Sequence, residues 1–261
     1  MLSNQMRQLI LFLIFSSPIF ALYNGNPASP EMMEEGFLLT KEGNVTASLG
    51  YRSDWCLDRR MKVSSQFSGD FDRFKYSLQQ GVFALDFFDR VEIYGSIGAI
   101  RLEAMQRPME GFKNEYETGY RFTWGVGGTV LVYQTGNLSI GFDGKYQHGT
   151  PNLDWIGVNG FAFGELSGAQ VHYSEWQLGL GVAYQIEFLT PYIAVKYSNA
   201  KAEFSSIPPG LVPATHFDAK SRYPFGFALG TTLTTGRFFS LNVEVRVLDE
   251  EAVSLAGTLK F

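Results

Sequence analysis

The segment Phe238-Phe239-Ser240-Leu241-Asn242-Val243-Glu244-Val245-Arg246-Val247 decides how this sequence is read. In an extended chain Phe239, Leu241, Val243, Val245 and Val247 fall on one side, and Ser240, Asn242, Glu244 and Arg246 on the other. The next segment repeats the pattern, with Val253, Leu255, Leu259 and Phe261 opposite Ser254, Ala256, Thr258 and Lys260. Upstream, Trp176, Leu178, Leu180, Val182, Tyr184 and Ile186 oppose Glu175, Gln177, Gly179, Gly181, Ala183, Gln185 and Glu187. Tyr120, Phe122, Trp124, Val126, Val130 and Val132 alternate with Arg121, Thr123, Gly125, Gly127 and Thr129. The period is two, so the chain is built of strands.

Strand length separates the two all-β solutions. Soluble sandwich strands run about 5–6 residues. These segments hold their phase for ten or more, as a tilted membrane-crossing strand must, which needs about 9–11 residues with its apolar face toward lipid. The opposite face mixes charge, amide and glycine, which a dry sandwich core would not accept without partners but a water-filled lumen would. Aromatics gather near segment ends (Tyr76, Phe87, Phe88, Tyr133, Tyr146, Phe188, Tyr192 and Phe225 among them), as interfacial girdles do. The expectation is a transmembrane antiparallel β-barrel over residues 45–261.

Turn spacing gives the barrel its orientation. Tight connections stand at Phe88-Asp89-Arg90, Gln134-Thr135-Gly136-Asn137, Phe188-Leu189-Thr190-Pro191 and Thr235-Gly236-Arg237. Between them lie longer polar or Gly/Pro-rich stretches at 104–115, 148–170 and 204–216, matching short periplasmic turns and long extracellular loops. The expected strands are near 45–63, 72–88, 91–103, 116–134, 137–148, 171–187, 190–203, 217–235, 238–248 and 252–261. That makes ten, with twelve open if Trp155–Phe163 holds further strands. The terminal Phe261, closing an amphipathic strand, is the expected barrel-insertion signal for the outer membrane and makes the barrel-assembly machinery a partner.

Composition agrees. Across 261 residues there are 28 Gly and 15% aromatic residues but only 18% charged, the balance of a β-rich chain rather than a helical enzyme. A net charge of −5 shows no basic bias and argues against nucleic acid. Met1–Ala21, with Arg7 before the apolar run Leu9–Phe15, reads as a secretory signal peptide. Residues 22–44 read as a polar, Pro-containing periplasmic leader. Cys56 stands alone, so any disulfide it makes is intermolecular.

Several of these segments resemble the chlamydial major outer membrane porin family. Gly226-Phe227-Ala228-Leu229-Gly230-Thr231-Thr232, Val243–Glu250 and the closing Phe261 look like the family's terminal hairpins. Tyr173–Gln177 and Thr190–Tyr197 are similar as well. Gly25-Asn26-Pro27-Ala28 resembles the start of the mature family chain, and Asp86–Arg90 an internal turn. The resemblance implies a porin-type barrel in a bacterial outer membrane, passing small hydrophilic solutes, as a monomer or a homo-trimer. This chain is much shorter, and with one cysteine it lacks the basis for the family's cross-linked envelope role.

Chemistry is thin by comparison. His148, His172 and His216 are the only histidines, and Ser174 beside His172 carries no G-x-S-x-G or H-E-x-x-H context, so no catalytic residue, metal or cofactor is assigned. The lumen-phase charges Arg121, Asp143, Lys145, Glu175, Glu187, Lys196, Glu244, Arg246 and Lys260 are the expected pore lining, because rings of charge tune ion preference. The competing reading pairs them across strands, Glu244 with Lys260 for instance, in a plugged barrel that acts as a surface antigen or adhesin through its loops.

Overall fold

The computed structural model describes residues 23–32, 45–64, 70–164, 166, 168–212, 214–234 and 238–261. The expected signal peptide and the turn at Thr235-Gly236-Arg237 lie outside them. All regular structure among these residues is strand: β1 (Val45–Arg59), β2 (Met61–Val63), β3 (Phe71–Phe87), β4 (Val91–Met109), β5 (Phe112–Thr118), β6 (Arg121–Thr135), β7 (Leu138–Gly149), β8 (Leu153–Val158), β9 (Phe161–Phe163), β10 (Gln170–Tyr184), β11 (Leu189–Ser205), β12 (Phe217–Ser221), β13 (Phe225–Thr234), β14 (Phe239–Val247) and β15 (Glu250–Lys260).

Ten of these close on themselves in the order β3-β1-β15-β14-β13-β11-β10-β7-β6-β4, with β4 pairing back onto β3 and every pairing antiparallel. Closure leaves no edge in the wall, the condition for backbone to lie in hydrocarbon. The outward residues are the apolar ones: Leu178, Leu180 and Val182 on β10, Ile193 and Val195 on β11, Phe227 and Leu229 on β13, and Val243 on β14 are all exposed. An apolar belt around the whole wall is far larger than a soluble monomer presents, and identifies the lipid face. At one end, the turn end, hairpins are tight. Phe88 and Asp89 take φ of 58° and 54°, the left-handed pair at the centre of a tight turn that Arg90 N–H closes onto the Phe87 carbonyl at 3.1 Å, within a three-residue connection.

The other end, the loop end, departs from the expectation of long loops at 104–115 and 148–170. β4 runs on to Met109, β5 follows directly, and β8 and β9 occupy 153–163. β5 pairs with the upper part of β4 and with β8, and β8 docks on β10 through the Asn152–Gln170 bridge and the Leu153 N–H to Ala169 C=O bond. On the far side, β12 pairs with β11 and with β2, which prolongs β1 above the short β14–β15 hairpin. The wall therefore continues beyond the membrane belt as a tier of eight strands, β3-β4-β5-β8-β10-β11-β12-β2, in which β2 lies beside β3. Polar outward positions such as Lys75, Arg101, Glu103 and Glu117 concealed these strands from a search for lipid-facing alternation.

Strand number sets what each tier can hold. Eight strands enclose a space just filled by side chains, and ten leave somewhat more. The eight-stranded tier is dry: Phe74, Leu78, Ile100, Leu102, Tyr116, Ile156, Val171, Phe204 and Phe217 form one buried cluster. Phe204 stacks on Phe217 at 4.6 Å between ring centroids and Tyr116 stands 5.2 Å from Phe204. Cys56 is buried at its lower margin.

Candidate functional site

The site is the interior of the ten-stranded tier. Inward positions on β1, β10, β11, β14 and β15 are polar, since β-alternation puts the residues opposite each lipid-facing one into the lumen. Three cations and five carboxylates meet in the middle. Arg246 lies 2.7 Å from Glu244, 3.3 Å from Asp54 and 3.4 Å from Glu250, and donates to Ser254 at 2.8 Å. Lys196 sits 2.9 Å from Asp249 and closer still to Glu250. Arg59 reaches Glu175 at 2.8 Å and Asp249 at 3.6 Å, contacts Glu250, and donates to Ser198 at 2.9 Å. All eight charged side chains are shut away from solvent. Asp249 and Glu250 stand at the β14–β15 turn, fully buried, with the Asp249 carbonyl accepting the Arg60 N–H at 3.4 Å and Glu250 in register with Arg59.

Tyrosines complete this layer. Tyr173 donates to Glu175 at 2.6 Å and Tyr192 to Glu244 at 2.7 Å. Across the lumen, Tyr94 donates to Asp143 at 3.1 Å, Lys145 stands 3.8 Å from the same carboxylate, and Gln80 donates to Ser96 and Gln147. Near the turn end Lys260 lies 3.6 Å from Asp86 and 3.7 Å from Asp89, not against Glu244.

Below the charge layer the lumen holds the chain's own N-terminal segment. Residues 23–32, read from sequence as part of a periplasmic leader, lie inside the barrel. The Glu244 carboxylate accepts the backbone N–H groups of Asn24 at 2.6 Å and Gly25 at 3.0 Å. Gln177 donates to the Asn24 side chain at 2.7 Å, and the Asn26 amide donates to Thr232 Oγ1 at 2.9 Å and the Thr190 carbonyl at 3.2 Å. Tyr23 lies under the Arg52 guanidinium, 4.5 Å from its ring centroid. Ala28 and Met32 pack on Ala183 and Tyr192. The wall is cut back to admit them: a Cβ at Gly179 would stand 2.4 Å from Asn24 Oδ1, and one at Gly181 3.1 Å from the Pro27 ring. Nothing in residues 22–44 alone announces this, because the wall hydrogen-bond partners of Asn24, Gly25 and Asn26 lie more than 140 positions away in sequence.

Of the nine charges expected to line a pore, Asp143, Lys145, Glu175, Lys196, Glu244, Arg246 and Lys260 project into the lumen and are buried. Two do not join them. Arg121 begins β6 at the loop-end rim, exposed and 3.2 Å from Asp154. Glu187 sits in the β10–β11 turn with φ of 52°, beyond the end of the wall, where the alternating phase no longer determines direction. Sequence reading missed Asp54, Arg59, Asp249 and Glu250. A bulge between Cys56 and Asp58 shifts the phase of β1 before Arg59, and the two acids lie at a turn. His172 hydrogen-bonds with Thr150 at 3.3 Å and Gln170 at 3.1 Å on the outer side of β10.

Sequence comparison finds similarity to the chlamydial major outer membrane proteins. The model of the Chlamydia major outer membrane protein family matches residues 158–208, from the end of β8 to just past β11. The major outer membrane porin of Chlamydia abortus is 21% identical over 368 aligned positions, covering 92% of this chain and 95% of that protein. The serovar E porin of Chlamydia trachomatis is 20% identical over 377 positions, covering 94% and 96%. Aligned lengths beyond this chain's 261 residues mean that the relatives carry insertions it lacks. Among solved structures, an outer membrane channel from Pseudomonas putida F1 is 11% identical with a TM-score of 0.40, covering 83% of this chain and 96% of that one. With lipid-facing ribbons closed into a wall, the chain is a bacterial outer-membrane β-barrel, and over nine-tenths of its length it is similar in sequence to the chlamydial major outer membrane porins.

Proposed function

We propose that this barrel is a channel for ions and small hydrophilic solutes whose resting state is closed by its own N-terminal segment, and that it performs no catalysis. The observation that carries this reading is the pair of hydrogen bonds from Asn24 and Gly25 to the buried Glu244 carboxylate. Below the charge layer the polar lining is occupied by a peptide held through backbone amides and short side chains. Withdrawing that peptide toward the turn end would expose a charged, wettable lining. In this reading the turn end faces the periplasm and the eight-stranded tier faces outside. Five carboxylates against three cations in the central layer favour cations over anions.

A second reading has support from the dry tier. Its packed aromatic cluster closes the loop end, as a surface antigen or adhesin without a pore would require. Planar-bilayer recording on refolded protein distinguishes the two. The channel reading expects low, intermittent conductance from the full mature chain and a larger, steady conductance after deletion of residues 23–32. Silence from a deletion variant that inserts and shows heat-shifted gel mobility would sink the channel reading and leave the closed surface barrel.

A further inference from the structure

The outer surface just above the lipid belt carries a block of like charge that the rest of the rim avoids. On β12 and β2, Lys220 and Lys62 are direct register partners, and on its other side Lys220 is the register partner of Lys201 on β11. One step toward the membrane, the Arg222 N–H donates to the Arg60 carbonyl at 2.8 Å, which sets these two residues opposite one another as well. The inward neighbours Met61, Val63 and Ala219 are buried, whereas Arg60, Lys62 and Lys220 are exposed, so the strand phase turns these cations to the outside. Like charges directly opposite on a sheet are destabilising.

Elsewhere on the loop-end wall, most cations among the described residues stand beside carboxylates, with Arg73 on β3 the exception. Lys75 is 3.5 Å from Glu103, Arg107 3.1 Å from Asp72, Lys113 2.6 Å from Glu115 and Arg121 3.2 Å from Asp154, and Arg101 pairs with Glu117. Lys201 is matched by Glu203 and by Asp218 at 3.7 Å, and Arg222 by Asp70 at 3.6 Å. Asp58 and Glu251 face outward one step below Arg60. Lys62 and Lys220, at the centre, have no carboxylate within 4.0 Å among the described residues.

Position says what would neutralise them. A row of touching rings marks the upper margin of the lipid belt: Trp176 stands 5.4 Å from Tyr197, which stands 5.0 Å from Phe225. Arg222 and Lys220 follow three and five residues along from Phe225, while Asn199 and Lys201 on the paired strand follow two and four from Tyr197. At about 3.3 Å per residue the arginine and lysine rows lie roughly 7 and 13 Å beyond the rings along the strand, and less in height for a tilted wall. That is the headgroup layer, and flexible side chains there can reach down to it. We propose that Arg60, Lys62, Lys220 and Arg222 form a docking site for the phosphate groups of an anionic lipid in the leaflet around the loop end. The site rests on the membrane placement of the barrel and not on conduction, since none of the four faces the lumen.

The test titrates refolded protein in zwitterionic detergent with diphosphoryl lipid A, with its dephosphorylated counterpart and with inorganic phosphate, reading bound lipid by native mass spectrometry. Wild type is expected to retain the diphosphoryl lipid at least tenfold more tightly than the dephosphorylated one. The K62Q/K220Q variant should lose at least tenfold in affinity, and K62R/K220R should keep it. Heat-shifted gel mobility reports folding, and the single variant K220Q, with a smaller loss, stands in if the double variant does not fold. Equal lipid affinity in wild type and the glutamine variants would overturn the proposal. So would displacement of the lipid by inorganic phosphate at equal concentration, which would make the patch a soluble-anion site. Bilayer conductance of K62Q/K220Q should match wild type, so failure here and failure of the channel reading are distinguishable.

Discussion

The Glu244 carboxylate accepts the backbone amides of Asn24 and Gly25 on one side while lying 2.7 Å from the Arg246 guanidinium on the other. One buried side chain thus joins the N-terminal segment to the charge layer. Its two oxygens are shared among backbone, guanidinium and the Tyr192 hydroxyl. Hydrogen bonds to a charged group contribute about 1.5–3 kcal/mol each, so this carboxylate is the principal anchor of the segment.

Replacing Glu244 with Gln keeps the shape and removes the charge. Glu244→Gln should raise amide hydrogen exchange across residues 24–28 by at least tenfold, while exchange in the lower parts of β13 and β14 changes little. Unchanged protection at Asn24 and Gly25 would mean that the wall glycines and Asn26, not this carboxylate, hold the segment.

Steric displacement offers an independent route to the same state. At Gly179 the three atoms nearest an added Cβ all belong to the Asn24 side chain, the closest at 2.4 Å, so the clash falls first on the segment. Gly179→Val should therefore eject the segment and raise single-channel conductance toward that of the variant lacking residues 23–32, without altering any charge. A Gly179→Val barrel that conducts like wild type would show that the segment does not limit flow.

The wall was legible in the sequence because its signal is local. Residues 239–247 and 176–184 state their lipid face every second position, and the ten strands follow. The eight-stranded tier was hidden because its outward positions are charged and its inward ones apolar, which inverts the phase rule used to find membrane strands. The site was half legible. Lys196, Glu244 and Arg246 sit in regular alternation, but Arg59 follows a bulge and Asp249 and Glu250 occupy a turn, where phase carries no information. The N-terminal segment was illegible for a different reason: its contacts are to polar groups brought together only by barrel closure.

Arg59 is the keystone of the upper charge layer, facing Glu175, Asp249 and Glu250 with no solvent to replace it. Removing one partner of a buried ionic set costs about 3–5 kcal/mol, because the remaining charges stay buried and repel. Arg59→Gln should lower the temperature of the heat-induced gel shift markedly, and a second change, Glu175→Gln, should recover part of the loss by cutting the carboxylate excess. Additive losses in the double variant would mean that the two side chains stabilise the barrel separately.

Lys260 separates selectivity from stability, because it stands apart from the central cluster, with Asp86 and Asp89 near the turn end. Neutralising it as Lys260→Gln removes one positive charge beside those two carboxylates, at the mouth through which the segment would withdraw. Measured on the variant lacking residues 23–32, the added Lys260→Gln change should shift the reversal potential in a salt gradient further toward the cation limit. The shift should shrink as ionic strength rises, since the Debye length falls from about 10 Å at 0.1 M to about 3 Å at 1 M. A reversal potential indifferent to Lys260 in a conducting barrel would place the selective constriction higher, among Glu175, Glu244 and their partners, and would remove Lys260 from the pore lining.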